Sequence, residues 1–172
     1  LLARFAMQWA RAPFRNPMGQ FVITVTDWMV KPARRAIPAA WGLDLPSLVL
    51  AWLWQVIYLG VIYGIGGVLH AGPDHIAIVA LAAVIETAVI ACNLAFAVVI
   101  ISVVLSWVNP QAPVAPVINA VAGPLLLPFQ RIIPPIGGID LSPIALLFVI
   151  KLIEIALGSA RGWLFSSLLL PQ

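Results

Sequence analysis

Apolar and polar positions along this chain fall in long blocks rather than in short alternating runs, which predicts helices and no strands. Three blocks are long enough to cross a membrane. Leu48 to Leu69 is 22 residues without a formal charge, enough for a helix rising ~1.5 Å per residue to cross a hydrocarbon core of about 30 Å. Ile76 to Val108 is 33 residues with Glu86 as its only charge; as a helix it is about 50 Å long, so it tilts strongly or starts in the interface. Ile144 to roughly Ala160 carries Lys151 and Glu154, and is followed by Arg161, Trp163 and a second apolar stretch ending at Pro171. A shorter block, Leu1-Leu2-Ala3-Arg4-Phe5-Ala6-Met7, opens the chain. It is apolar over only about ten residues where a span needs ~20, and is read as the end of a truncated first transmembrane helix. Between Pro17 and Lys31 the period changes. Phe21, Val25, Trp28 and Met29 share one helical face, and Gln20, Thr24, Asp27 and Lys31 the other. That is the pattern of an amphipathic helix lying on the membrane interface, with an ordinary linker helix as the alternative. The expected fold class is an all-α membrane protein with four transmembrane helices and interfacial amphipathic segments.

Composition sharpens the membrane reading. Of 172 residues, 63% are apolar and 9% are charged, against about 25% charged in soluble domains. The net charge of +3 comes from nine Lys/Arg and six Asp/Glu, too few basic residues for a nucleic-acid footprint. They sort by side instead. Arg11, Arg15, Lys31, Arg34 and Arg35 lie between residues 11 and 46, and Arg131 lies between 109 and 143, while the turn from His70 to His75 has no Lys or Arg. Basic loops stay cytoplasmic, so both long loops are expected on the cytoplasmic side of a bacterial inner membrane. The turn at 71–75 and the C-terminus are expected outside, with Arg161 breaking the rule once. Cys92 is the one cysteine, so no disulfide or CxxC pair exists within the chain.

The sequence is internally duplicated. Residues 32–45, PARRAIPAAWGLDL, laid over 128–141, PFQRIIPPIGGIDL, give seven identities in fourteen ungapped positions. The motif residues are Pro32, Arg35, Pro38, Gly42 and Asp44 in the first copy and Pro128, Arg131, Pro134, Gly138 and Asp140 in the second. Residues 1–70 then form a first repeat, 71–75 an outward turn, and 76–172 a second repeat, in parallel orientation. Two copies of this motif, each leading into a span, resemble the YggT (YlmG) family of small bacterial and plastid membrane proteins. The segment RIIPPIGGIDLSPI at 131–144 carries the resemblance best, and MQWARAPFRNP at 7–17 is similar to the family's first loop. In the first copy Asp44-Leu45-Pro46-Ser47 inverts the order of Ser142-Pro143. The resemblance implies links to osmotic-stress tolerance and ion homeostasis in bacteria, and to cofactor assembly on a cytochrome complex in plastids. It supplies no catalytic residue.

Few residues are candidates for chemistry. Arg35 precedes Asp44 by nine residues, as Arg131 precedes Asp140. Prolines make this segment poor helix and point to a rigid turn, which an Arg–Asp pair is one way to close. The alternative has each Asp capping the following helix while each Arg meets lipid phosphate. Lys151 and Glu154 share a helix face roughly 12 and 16 Å beyond Pro143. Glu86 lies about 15 Å into its own run. These three intramembrane charges form either one cation site or, with Lys151 and Glu154 neutralising each other, a packing device. Gly60 and Gly64 form a GxxxG helix-packing motif. His70 and His75 bracket a proline and are too sparse for a metal or haem site, and no cofactor is expected. The chain therefore reads as a multi-pass, non-enzymatic protein whose partners are the bilayer and other membrane subunits, acting in the structure or assembly of a larger complex. The alternative is ion transport or an osmotic-stress response through Glu86, Lys151 and Glu154.

Overall fold

A computed structural model describes residues 1–37, 42–65, 73–135 and 140–169. Among these, six helices follow in order: α1 (Leu2–Trp9), α2 (Pro17–Ala36), α3 (Leu45–Ile65), α4 (Pro73–Val108), α5 (Ala115–Ile132) and α6 (Ser142–Leu169). Three stretches are long and apolar enough to cross a membrane, Leu45–Ile65, Ile76–Val108 and Ser142–Leu164. α1, with eight residues, is too short to cross alone.

The ends of α2 and α5 follow from local chemistry. Asn16 caps α2 by accepting the Gly19 N–H at 2.8 Å, with Pro17 at the first helical position, where its missing N–H costs nothing. The motif prolines Pro32 and Pro128 lie inside α2 and α5 rather than in a turn. Each helix runs on through the Arg and stops at the isoleucine. Ile37 (φ −121°, ψ 103°) and Ile133 (φ −112°, ψ 98°) are extended, because the proline that follows each one clashes with the helical conformation. The chain therefore turns five residues later than Pro32 and Pro128. Gly42, at φ +76°, takes the left-handed conformation that glycine adopts without strain as the chain enters α3. Pro38 and Gly138 lie outside the described residues.

α4 is the central element, in contact with α1, α3, α5 and α6. One core gathers Met7, Val98, Val99, Ile118, Ala122, Leu146 and Ile150 from α1, α4, α5 and α6. A second joins α3 to α4 through Leu59, Val79, Ala82 and Ala83, with Trp52 donating its indole N–H to the Ala80 carbonyl at 3.0 Å.

Gly19 gives a local test of this frame. A Cβ there would stand 2.7 Å from the Phe14 carbonyl oxygen and 2.8 Å from its Cα, backbone atoms with no rotamer to escape into. Gly19→Ala is expected to destabilise by about 1–3 kcal/mol. Gly123→Ala, with nothing within 4 Å of the added atom, should be neutral or gain about 0.5–1 kcal/mol. Thermal melts in detergent that rank the two the other way would contradict the packing around Phe14.

Candidate functional site

The densest polar constellation lies where α1, α2 and the start of α3 meet. Arg4, 6% exposed, is sunk between helices. Its Nη1 donates to Thr26 Oγ1 at 2.9 Å and to Asp27 Oδ1 at 2.7 Å, and its Nε lies 3.2 Å from Asp44 Oδ2. Asp44 is fully buried. Arg34 Nη2 stands 3.2 Å from its other oxygen, and Ser47 Oγ donates to Oδ2 at 2.7 Å. The Ser47 and Leu48 N–H groups close onto the Asp44 carbonyl at 3.0 and 3.3 Å, starting α3. Lys31 completes the network at 2.8 Å from Asp27. Three cations thus surround two carboxylates. The Lys31 ammonium first, and the Arg4 guanidinium second, hold the Asp27 carboxyl below the usual carboxylate range. This network fastens three helices, with Asp44 Oδ1 held by the Arg34 charge and by no hydrogen bond.

Of the two readings, the Arg35–Asp44 pair is not formed: Arg34 and Arg4 hold Asp44, and Arg35 is exposed with no ion pair among the described residues. Because α2 continues to Ala36, Arg34 and Arg35 sit a hundred degrees apart on a helix, and only the first faces α3. In the second half Arg131 is likewise exposed at the end of α5, as is Pro134. Asp140 accepts the Ser142 N–H at 2.8 Å and the Gln130 amide at 2.9 Å. Hydrogen bonding from Ser142 first, and then from the Gln130 amide, holds the Asp140 carboxyl below the usual carboxylate range.

The intramembrane charges form two separate pairs. Lys151 Nζ meets Glu154 at 2.7 Å and lies 4.4 Å above the centre of the Phe96 ring of α4. Glu86 pairs with Arg161. A single site of Glu86, Lys151 and Glu154 is therefore not formed. The reason is register: α4 and α6 run antiparallel, so ten residues forward from Lys151 to Arg161 match ten residues back from Phe96 to Glu86, about 15 Å away.

Gly60 and Gly64 have open space where a Cβ would stand, so no described helix of the chain approaches α3 there; its face toward α4 is Trp52, Val56, Leu59 and Tyr63. His70 and the His75 side chain lie outside the described residues. Among the described residues no group of three His, Cys, Asp or Glu could hold a metal ion. Sequence reasoning missed Arg4, although a lone charge inside the opening apolar block was the available signal. It also set aside Arg161 as a topological exception, when a carboxylate stranded in another span was its partner.

The sequence model of the CCB3/YggT family matches residues 1–65 and 80–160. An uncharacterized protein of Pseudomonas aeruginosa is 39% identical over 161 residues, covering 90% of this chain and 78% of its own length. The uncharacterized protein YggT of Escherichia coli is 35% identical over 155 residues, 90% of this chain and 79% of that protein. An uncharacterized protein of Vibrio alginolyticus is 32% identical over 165 residues, 94% and 87% of the two chains. No solved structure matches the chain.

Proposed function

The chain belongs to the CCB3/YggT family, and from that membership and the polar face of α6 we propose that it is a non-enzymatic membrane protein serving as a structural or assembly partner in a larger membrane complex. One observation carries the reading. The Lys151 and Arg161 side chains are 48% and 46% exposed on a helix whose apolar length suits a span. Lipid solvates such groups poorly, and intramembrane charges are normally faced by protein or water. A second protein lying along this face of α6 would cover them.

Within this reading the halves 1–70 and 76–172 are parallel repeats joined by an outward turn at 71–75. The recurrence of an amphipathic or apolar helix, an Ile-Pro stop and a motif Asp before α3 and α6 supports it. α1 takes a fourth membrane position, supported by its packing against α3, α4 and α5. The exposed Phe21, Val25 and Trp28 of α2 lie in the acyl boundary of the cytoplasmic leaflet, and the membrane is a bacterial inner membrane, as its bacterial relatives suggest.

A photo-crosslinking residue placed at Phe148 or Ile155, both exposed beside Lys151, is expected to capture another membrane protein in cells. Adducts with lipid alone, together with a purified monomer that conducts ions in liposomes, would replace this reading with transport through Glu86, Lys151 and Glu154.

A further inference from the structure

Asp44 and Asp140 hold matched places before α3 and α6, yet their charges are handled differently. Asp44 lies between two guanidiniums, Arg4 and Arg34. Asp140 has no cation within ion-pair distance among the described residues; its partners are the Ser142 N–H and the Gln130 amide. The motif alignment puts Gln130 where Arg34 stands, and α4 has no charge from Thr87 to Val108. Asp140 instead borders a cavity of about 600 Å³, where Ser102, Ser106, Trp107 and Gln130 join it on a wall completed by the apolar Val103, Leu126 and Pro143.

The polar groups of this largely apolar lining are mostly hydrogen-bonded to one another or to backbone. Ser102 Oγ donates to Asn119 Oδ1 at 2.9 Å, Ser106 Oγ donates to the Val103 carbonyl at 2.7 Å, and Gln130 Nε2 donates to Asp140 Oδ2 at 2.9 Å. The Ser102 and Ser106 hydroxyls have their donors committed and lone pairs left to offer, as has the Gln130 Oε1, beside one carboxylate, while the Gln130 amide keeps one further N–H. The complement is a cation with N–H donors. A bare metal ion is a poor match, since the volume far exceeds one ion and hard cations take six or more oxygens. The Trp107 indole adds a surface that attracts organic cations.

We propose that this cavity binds an alkylammonium group, which supplies to Asp140 the positive charge that Arg4 and Arg34 supply to Asp44. The ammonium belongs either to a free amine or to the headgroup of an ethanolamine lipid, and the two sources separate experimentally.

The test uses the full chain in detergent, with thermal shift and native mass spectrometry as readouts. The probes are ethanolamine, phosphatidylethanolamine, phosphatidylglycerol and sodium chloride at matched ionic strength. Binding of phosphatidylethanolamine but not ethanolamine supports a lipid source, and binding of both supports a free amine as well. Asp140→Asn is expected to weaken either by tenfold or more. Gln130→Arg, which restores the cation of the first half within the chain, should abolish binding while raising the melting temperature, so the inference stays testable if Asp140→Asn fails to fold. Equal responses to sodium chloride or phosphatidylglycerol, or binding unchanged in Gln130→Arg, would overturn it.

Discussion

Asp44→Asn is expected to lower the stability of the folded chain by about 3–5 kcal/mol, the usual loss when one member of a buried ion pair is removed. The carboxylate is fully buried and lies against Arg4, itself 6% exposed. An asparagine keeps the shape and one acceptor but leaves the Arg4 Nε facing a neutral oxygen, with Asp27 as its remaining counter-charge. Ser47 also loses a charged acceptor, and Arg34 its tie to α3. Asp140→Asn is the internal control. Asp140 is exposed and has hydrogen bonds but no ion pair among the described residues, so its loss should stay near 0.5–1.5 kcal/mol. Circular-dichroism melts in one detergent compare the two directly. Equal losses at both positions would show that the buried network is not what fastens α1 and α2 to α3. Arg4→Gln combined with Asp44→Asn should cost less than the sum of the single changes, since both remove the same contact.

The spans were legible in the sequence and the pairings were not. Apolar blocks report directly on length against bilayer thickness, so α3 and α4 and the start of α6 emerge within a few residues of their observed bounds, while α6 runs on to Leu169, about nine residues past the expected end. The signal for α2 was its two-faced period between Pro17 and Lys31. The site needed more than pattern. Arg34 and Arg35 are neighbours in sequence and both lie near Asp44; which one turns inward depends on how far α2 continues past Pro32, and an interior proline argues locally for an earlier stop. Here the helix runs on through Pro32 and ends only at Ile37, whose clash with the following proline stops it. Arg4 reaches Asp44 across forty residues of chain, and Glu86 reaches Arg161 across seventy-five. Such partners are fixed by the register of packed helices, which a single sequence does not encode in any local pattern. The scarcity of charge narrowed the choices, since few cations existed for each carboxylate.

Register is also what makes the second pair testable. Arg161→Leu is expected to destabilise the chain by about 2–3 kcal/mol, the scale of leaving an ionisable group unmatched within a span. Glu86 is 17% exposed in its side chain and sits on α4, the helix every membrane-long element of the chain packs against. Without Arg161 it must either stay charged in an apolar setting or take up a proton, and both outcomes cost free energy relative to the pair. Glu86→Leu exposes Arg161 to the same setting, but a long arginine near a helix end can carry its charge toward the interface, so the loss should be smaller. The double change Glu86→Leu with Arg161→Leu removes both charges and puts apolar side chains in their place. It should recover most of the stability, as replacing an ion pair by packed apolar residues commonly does. Unfolding of the four proteins in the same bicelles measures this cycle. A double variant as unstable as the sum of the two single ones would mean that Glu86 and Arg161 do not meet, and that α4 and α6 pack in a different register from the one set by Lys151 over Phe96.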